Sequence, residues 1–236
     1  MLFRRRQVWL PTLWGWLVSL ALAAALAFAG ALNAYDLLAT NRPARGPAGD
    51  GARTLVVEGW LGGVELQQAV ALLRSGHYER VLTTGGPIDP EFDAGGWHSF
   101  AVRAATLLRE DPAVKVPVIA LPAPASAQDR SYLSAVMVRD WAQRSETRLE
   151  AIDLLSGGVH ARRSRLVYRM ALGDEVEVGV FAARPADHDA QRWWTSSTGV
   201  KTTVGEALSL GWTACCFWPA PRGSHEERWG VPRATP

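Results

Sequence analysis

The chain has 236 residues, 48% hydrophobic and 20% charged, which excludes a disordered protein and suits one ordinary domain with an appendage. A formal net charge of +2, with no Lys/Arg stripe interleaved with aromatics, excludes a nucleic-acid-binding surface. The two cysteines, Cys215 and Cys216, are adjacent; neighbours rarely reach disulfide geometry, so both are expected as small packing residues, and the compartment stays open.

Arg4, Arg5 and Arg6 precede a stretch, Gln7 to Tyr35, that carries no charge. Its most apolar part, Leu13 to Leu32, is near the ~20 residues needed to span hydrocarbon. Trp9, Trp14 and Trp16 lie near one end and Tyr35 near the other, where amphipathic rings favour the headgroup layer. The expected organisation is a cytoplasmic N-terminus over 1–11 and a single transmembrane anchor over 12–35. By the positive-inside rule the rest then lies on the extracytoplasmic side of the cytoplasmic membrane. Ala29-Gly30-Ala31 would serve as a cleavage site, but signal-peptide cores run only about 7–15 residues, so a retained anchor is preferred. Residues 36–52, rich in Pro and Gly from Asn41 onward, read as a linker holding a domain off the bilayer.

Beyond it, short apolar runs alternate with amphipathic stretches. Thr54–Val57 predicts a strand; Leu66, Ala69, Val70 and Leu73 then mark one helix face, closed by Ser75-Gly76. Arg80–Thr84 is the second strand, followed by a helix carrying Trp97, Phe100, Ala104, Leu107 and Leu108. Pro117–Leu121 is the third strand, and Leu133, Val136, Met137 and Trp141 give the third helix. A strand over Leu149–Leu155, a helix over His160–Ala171, a strand over Glu175–Phe181 and a helix over Thr203–Thr213 complete the pattern. This alternation implies right-handed crossovers and an α/β fold: a Rossmann-like three-layer domain over 53–218 with a mostly parallel sheet of about five strands. Residues 219–236 are expected to form a flexible tail.

Ligands of open α/β sheets bind outside the carboxyl ends of the strands. Glu58-Gly59, Thr84-Gly85-Gly86, Asp129-Arg130 and Gly157 fall at those ends, glycines there permitting close backbone approach. Arg163 shares a helical stripe with Leu166, Val167 and Met170, one turn after His160. A guanidinium on a buried face needs an anion, either an internal carboxylate such as Glu58 or Asp129, or a ligand clamped jointly with His160. Arg162, Arg165 and Arg169 form a separate, solvated stripe. Asp129 ends Ser126-Ala-Gln-Asp129, which resembles a capping box and favours a capping role. Trp194, beside Trp193, is a stacking candidate, although core packing is the commoner fate of such a pair. Glu206 is expected only to favour the dipole of the last helix. No Ser/His/Asp order, P-loop or HExxH motif is present, and neither a metal site nor a cofactor is identifiable.

Val56-Val57-Glu58-Gly59, Thr83-Thr84-Gly85-Gly86, His160-x-x-Arg163, Trp193-Trp194 and Gly205-Glu206-Ala207, in this order, resemble the ElyC/SanA/YdcF family over most of residues 54–213. The resemblance implies a Rossmann-like domain behind one membrane segment and a role in the bacterial envelope, in peptidoglycan or polysaccharide precursor metabolism. The chain departs from that pattern at Glu58-Gly59-Trp60, where a glycine run is usual, after Ser99, and around Asp129-Arg130.

The expected function is therefore an anchored envelope domain that binds, and in one reading processes, an anionic carbohydrate- or lipid-linked precursor. Gly59, Thr84, Gly85, Gly86, Arg130, Gly157, His160, Arg163 and Trp194 are the binding candidates, and Glu58, Asp129 and His160 the catalytic ones. The alternative is a non-catalytic envelope scaffold with a vestigial pocket. Expected partners are the membrane and an anionic small-molecule or lipid-linked ligand, and no nucleic acid.

Overall fold

A computed structural model describes residues 11–229, apart from positions 48, 76 and 127–128. Arg4–Arg6, Trp9 and residues 230–236 of the expected tail lie outside the described residues. The chain divides into two units, residues 1–34 and 35–236. In the first, Leu13–Leu32 forms a 20-residue helix, α1, without an acidic or basic residue. By length and composition it suffices to cross a membrane.

A short helix, α2 (Ala34–Leu38), begins at the boundary, and its Tyr35 and Leu38, in the second unit, are buried. Strands and helices then alternate as β1 (Thr54–Glu58), α3 (Gly63–Leu73), β2 (Arg80–Gly85), α4 (Phe100–Glu110), β3 (Val118–Pro122), α5 (Arg130–Arg144), β4 (Ala151–Gly157), α6 (Ala161–Leu172), β5 (Glu177–Ala183), α7 (Ser197–Cys216) and α8 (His225–Trp229). All five strands are parallel, in the order β3-β2-β1-β4-β5. This is the expected α/β fold, with the strand order of a Rossmann-like sheet.

Alternation along the strands builds the two cores. Leu55 and Val57 of β1 pack with Leu66, Val70, Ala104 and Leu108 of α3 and α4. Val56 points to the opposite face, with Val136 of α5 and Tyr168 and Ala171 of α6. Two residues further on, Glu58 therefore points to the α5/α6 side, and the same period carries Ile152 and Leu154 on to Ser156. Both apolar runs thus end, at the carboxyl edge, in polar groups that share one face.

Local differences have identifiable causes. Ser99 Oγ accepts from Val102 N at 3.2 Å and starts α4 there, which leaves Trp97 outside the helix. Ser196 Oγ accepts from Gly199 N at 3.0 Å, so the last helix begins well before Thr203.

The stretch 36–52, expected as a linker, is laid along the sheet instead. Arg42 bridges Val180, Asn41 Oδ1 accepts from Ala182 N at 2.9 Å, and buried Asp153 accepts from Ala44 N at 2.7 Å. The expected flexible tail is also fixed through α8: Glu227 is buried and accepts from Arg139 Nη1 at 2.7 Å and Nη2 at 3.0 Å. Cys215 and Cys216 are neither packed nor separate. They form a disulfide at the exposed end of α7.

Candidate functional site

The chain crosses over in opposite senses from β1 to β2 and from β3 to β4, so the carboxyl ends of adjacent β1 and β4 flank the topological switch point. A cavity of about 540 Å³ opens at this edge, walled by Glu58, Trp60, Gly86, Arg130, His160 and Glu206, among others.

Glu58 forms its floor. It is 2% exposed, and each carboxylate oxygen accepts a serine hydroxyl at 2.7 Å, Oε2 from Ser156 and Oε1 from Ser164. Tyr168, fully buried beneath it, contacts Thr84 Oγ1 at 3.1 Å; burial and the Glu58 charge push its phenol above the ordinary range. The period along α6 explains the arrangement: Ala161, Ser164, Tyr168 and Ala171 form its fully buried stripe. Arg163, Leu166 and Met170 are only partly buried, and Arg165, expected in solvent with Arg162 and Arg169, is also partly covered and donates to Val178 O at 2.7 Å.

His160 ends the 3-10 turn Gly158–His160 that leads into α6. Its Nδ1 lies 3.0 Å from Glu206 Oε1 and 2.9 Å from Arg163 Nη2. Arg163 also clasps Glu206 through Nε (2.8 Å) and Nη2 (3.1 Å). Burial alone would raise the Glu206 carboxyl, but its bonds from His160 and Arg163 prevail and hold it at about 2. At 3.0 Å an Nδ1–H suits donation to Glu206, and a nitrogen that donates there does not also accept from Arg163. In the neutral ring Nε2 is then left as an acceptor, 3.3 Å from Ser131 Oγ and 3.9 Å from Glu58 Oε1. Trp60 meets the ring edge-on at 5.4 Å between centroids. Although no linear motif announces it, Ser131, His160 and Glu206 have the connectivity of hydroxyl, base and orienting carboxylate.

The internal carboxylate for Arg163 is thus Glu206, not Glu58 or Asp129. Glu206 does not sit at the start of a helix but within α7, so the dipole role does not apply to it. The cation left for a ligand is Arg130, exposed at the first position of α5 and without an ion pair among the described residues. Asp129 precedes it in a left-handed conformation (φ 56°) and makes no side-chain cap bond, contrary to the capping expectation. Burial pushes its carboxyl up. It lines a neighbouring groove of about 520 Å³ rather than the cavity.

Several expected ligand contacts are structural. A Cβ at Gly59 would stand 2.3 Å from Phe100 O, so glycine there serves packing against α4. Thr84 is buried against Tyr168. Gly157 lies beneath Trp60, whose ring a Cβ would meet at 2.4 Å. Trp194 is exposed and stands edge-on to buried Trp193, outside the cavity lining. Gly85, Gly86, Arg130, His160, Arg163 and Glu58 do converge on the cavity.

The first strand-to-helix turn, where this strand order elsewhere seats a pyrophosphate, is unsuited to one. Glu65 accepts from Gly62 N at 2.6 Å at the head of α3, placing a negative charge where a phosphate would bind. Among the described residues no cluster of His, Cys, Asp and Glu is arranged to hold a metal ion.

Fold and site together define a Rossmann-like α/β protein with a carboxyl-edge cavity containing a Glu–His pair. The chain matches no family model, no curated protein and no solved structure.

Proposed function

We propose that this chain is a membrane-anchored bacterial envelope protein whose domain binds and processes an anionic carbohydrate- or lipid-linked precursor, as its resemblance to the ElyC/SanA/YdcF family implies. The supporting observation is His160, oriented through Nδ1 by Glu206 and presenting Nε2 to Ser131 inside the cavity that Arg130 borders. In this reading Arg130 receives the anionic group, and His160 takes the proton of Ser131 or of a ligand hydroxyl bound at the same point.

Mass spectrometry of small molecules co-purifying with the full chain tests the proposal. Wild type should retain an anionic sugar or lipid conjugate, Arg130→Ala should lose it, and His160→Gln should retain it unconverted. Equal retention by wild type and Arg130→Ala would remove the assigned anion site.

One observation favours the alternative, a non-catalytic scaffold: Glu206 already neutralises Arg163 and pairs with His160, the two groups first expected to clamp an anion. Crosslinking in cells that captures a defined envelope protein while the cavity purifies empty would support it.

A further inference from the structure

The site's outer wall, α7, is packed on one side only. Gly199, Thr203 and Thr213 are buried, and Glu206 turns inward to His160. On the opposite face Val200, Val204, Leu208 and Trp212 recur every four residues, and all are exposed, Leu208 to 72%. Lys201 is the one charged residue on that outward face. A surface helix ordinarily turns charge to water, so an apolar outward stripe indicates a covering partner.

Chain connectivity identifies that partner. Tyr35 OH lies 2.9 Å from where a Cβ of Gly158 would stand, in the same turn whose His160 bonds Glu206 of α7. The chain thus enters the domain at the site edge, beside the turn that holds α7. In sequence only Asn33 and Ala34 separate Tyr35 from Leu32, the end of the apolar helix. Two or three residues extend to roughly 10 Å at most. The segment joining the apolar helix to the domain is therefore short. Leu208 and Trp212 also wall the groove of about 520 Å³ that shares Arg130, Ser131 and Arg163 with the cavity. The outward face of α7 is therefore continuous with the site.

We infer that the Val200–Val204–Leu208–Trp212 face of α7 docks on the lipid surface, with Trp212 at the headgroup layer and Lys201 reaching the phosphates, so that the site draws an anionic, lipid-linked ligand directly from the membrane. This inference rests on the reading of α1 as a membrane span.

The test uses the full chain in vesicles of phosphatidylethanolamine and phosphatidylglycerol, in a Cys215→Ser/Cys216→Ser background. An environment-sensitive fluorophore is attached in turn at Leu208→Cys, Ser19→Cys and Lys115→Cys, with near-ultraviolet circular dichroism checking the fold. Lipids brominated near the glycerol should quench the label at 208. Lipids brominated at the chain ends should quench the label at 19, and neither should touch 115, beyond the opposite edge of the sheet. A label at 208 as wet as at 115, with 19 deep, overturns the docking face alone. A label at 19 that is not deep overturns the anchor reading and the docking face with it. Protection of 208 without quenching by lipid means that a second copy or another protein covers the face, and likewise overturns the inference.

Discussion

At the residue scale, Glu206 couples the site to the stability of the fold. Its carboxyl lies near 2 in the folded protein against 4.5 ordinarily, so the folded state favours the charged form. Its contribution is therefore complete above about pH 4.5 and is lost as the pH falls toward 2, with a ceiling of about 3 kcal/mol, lowered by solvent at the partly open rim. Urea titrations between pH 6 and 3 should show wild-type stability falling more steeply than that of Glu206→Gln. The glycines provide a second residue-scale contrast. Gly59→Ala drives a Cβ into backbone atoms of Phe100 and Thr84, whereas a Cβ at Gly63 meets nothing within 4 Å. Gly59→Ala should cost about 1–3 kcal/mol or more by overpacking, and Gly63→Ala should be near neutral in the same denaturation assay. The sequence marks Gly59 as unusual but not why, because the constraint comes from α4, more than forty residues further along. The pairing role of Glu206 is illegible in the sequence for a related reason: its partners His160 and Arg163 lie at the head of α6, and no local pattern links them to α7.

At the element scale, the five strands and the helices between them were readable because apolar periodicity registers their buried faces directly. The segments flanking the sheet were not, since they are ordered by single long-range polar contacts rather than by a repeating face. Residues 41–46 look like a linker by composition, yet the Glu177 carboxylate accepts from both Arg45 N and Gly46 N at 3.1 Å, and Asp153 holds Ala44. The buried face of α6 was misplaced by about one position because its members Ser164 and Tyr168 are polar, and their burial makes sense only with Glu58 and Thr84 opposite them. The tail shows the same logic. Glu227 accepts from Arg139, from Gly223 N at 2.6 Å and from Tyr132 OH at 3.3 Å, fastening α8 to α5. Glu227→Ala should cost about 3 kcal/mol, because Arg139 would keep only Asp140 as a buried partner. Thermal unfolding would register that loss, and limited proteolysis should show early cleavage near residue 223 in the variant.

At the scale of the whole molecule, the proposed side of the membrane depends on charge at the two ends of α1. Arg4, Arg5 and Arg6 precede the helix, and Asp36, Arg42 and Arg45 follow it. Acidic residues weigh little in orienting a span, so the bias is three cations against two, and basic residues nearest the span dominate. Arg42 is further committed to the fold by its bridge to Val180. A phosphatase reporter fused after Pro236, which works only outside the cytoplasm, should therefore be active on the wild-type chain. Replacing all three leading arginines (Arg4→Ser, Arg5→Ser, Arg6→Ser) removes the bias and should leave a mixed population, with reporter activity reduced severalfold at equal protein level. Activity confined to a cytoplasmic reporter in the wild type would reverse the orientation and place the His160–Glu206 cavity among cytoplasmic ligands instead.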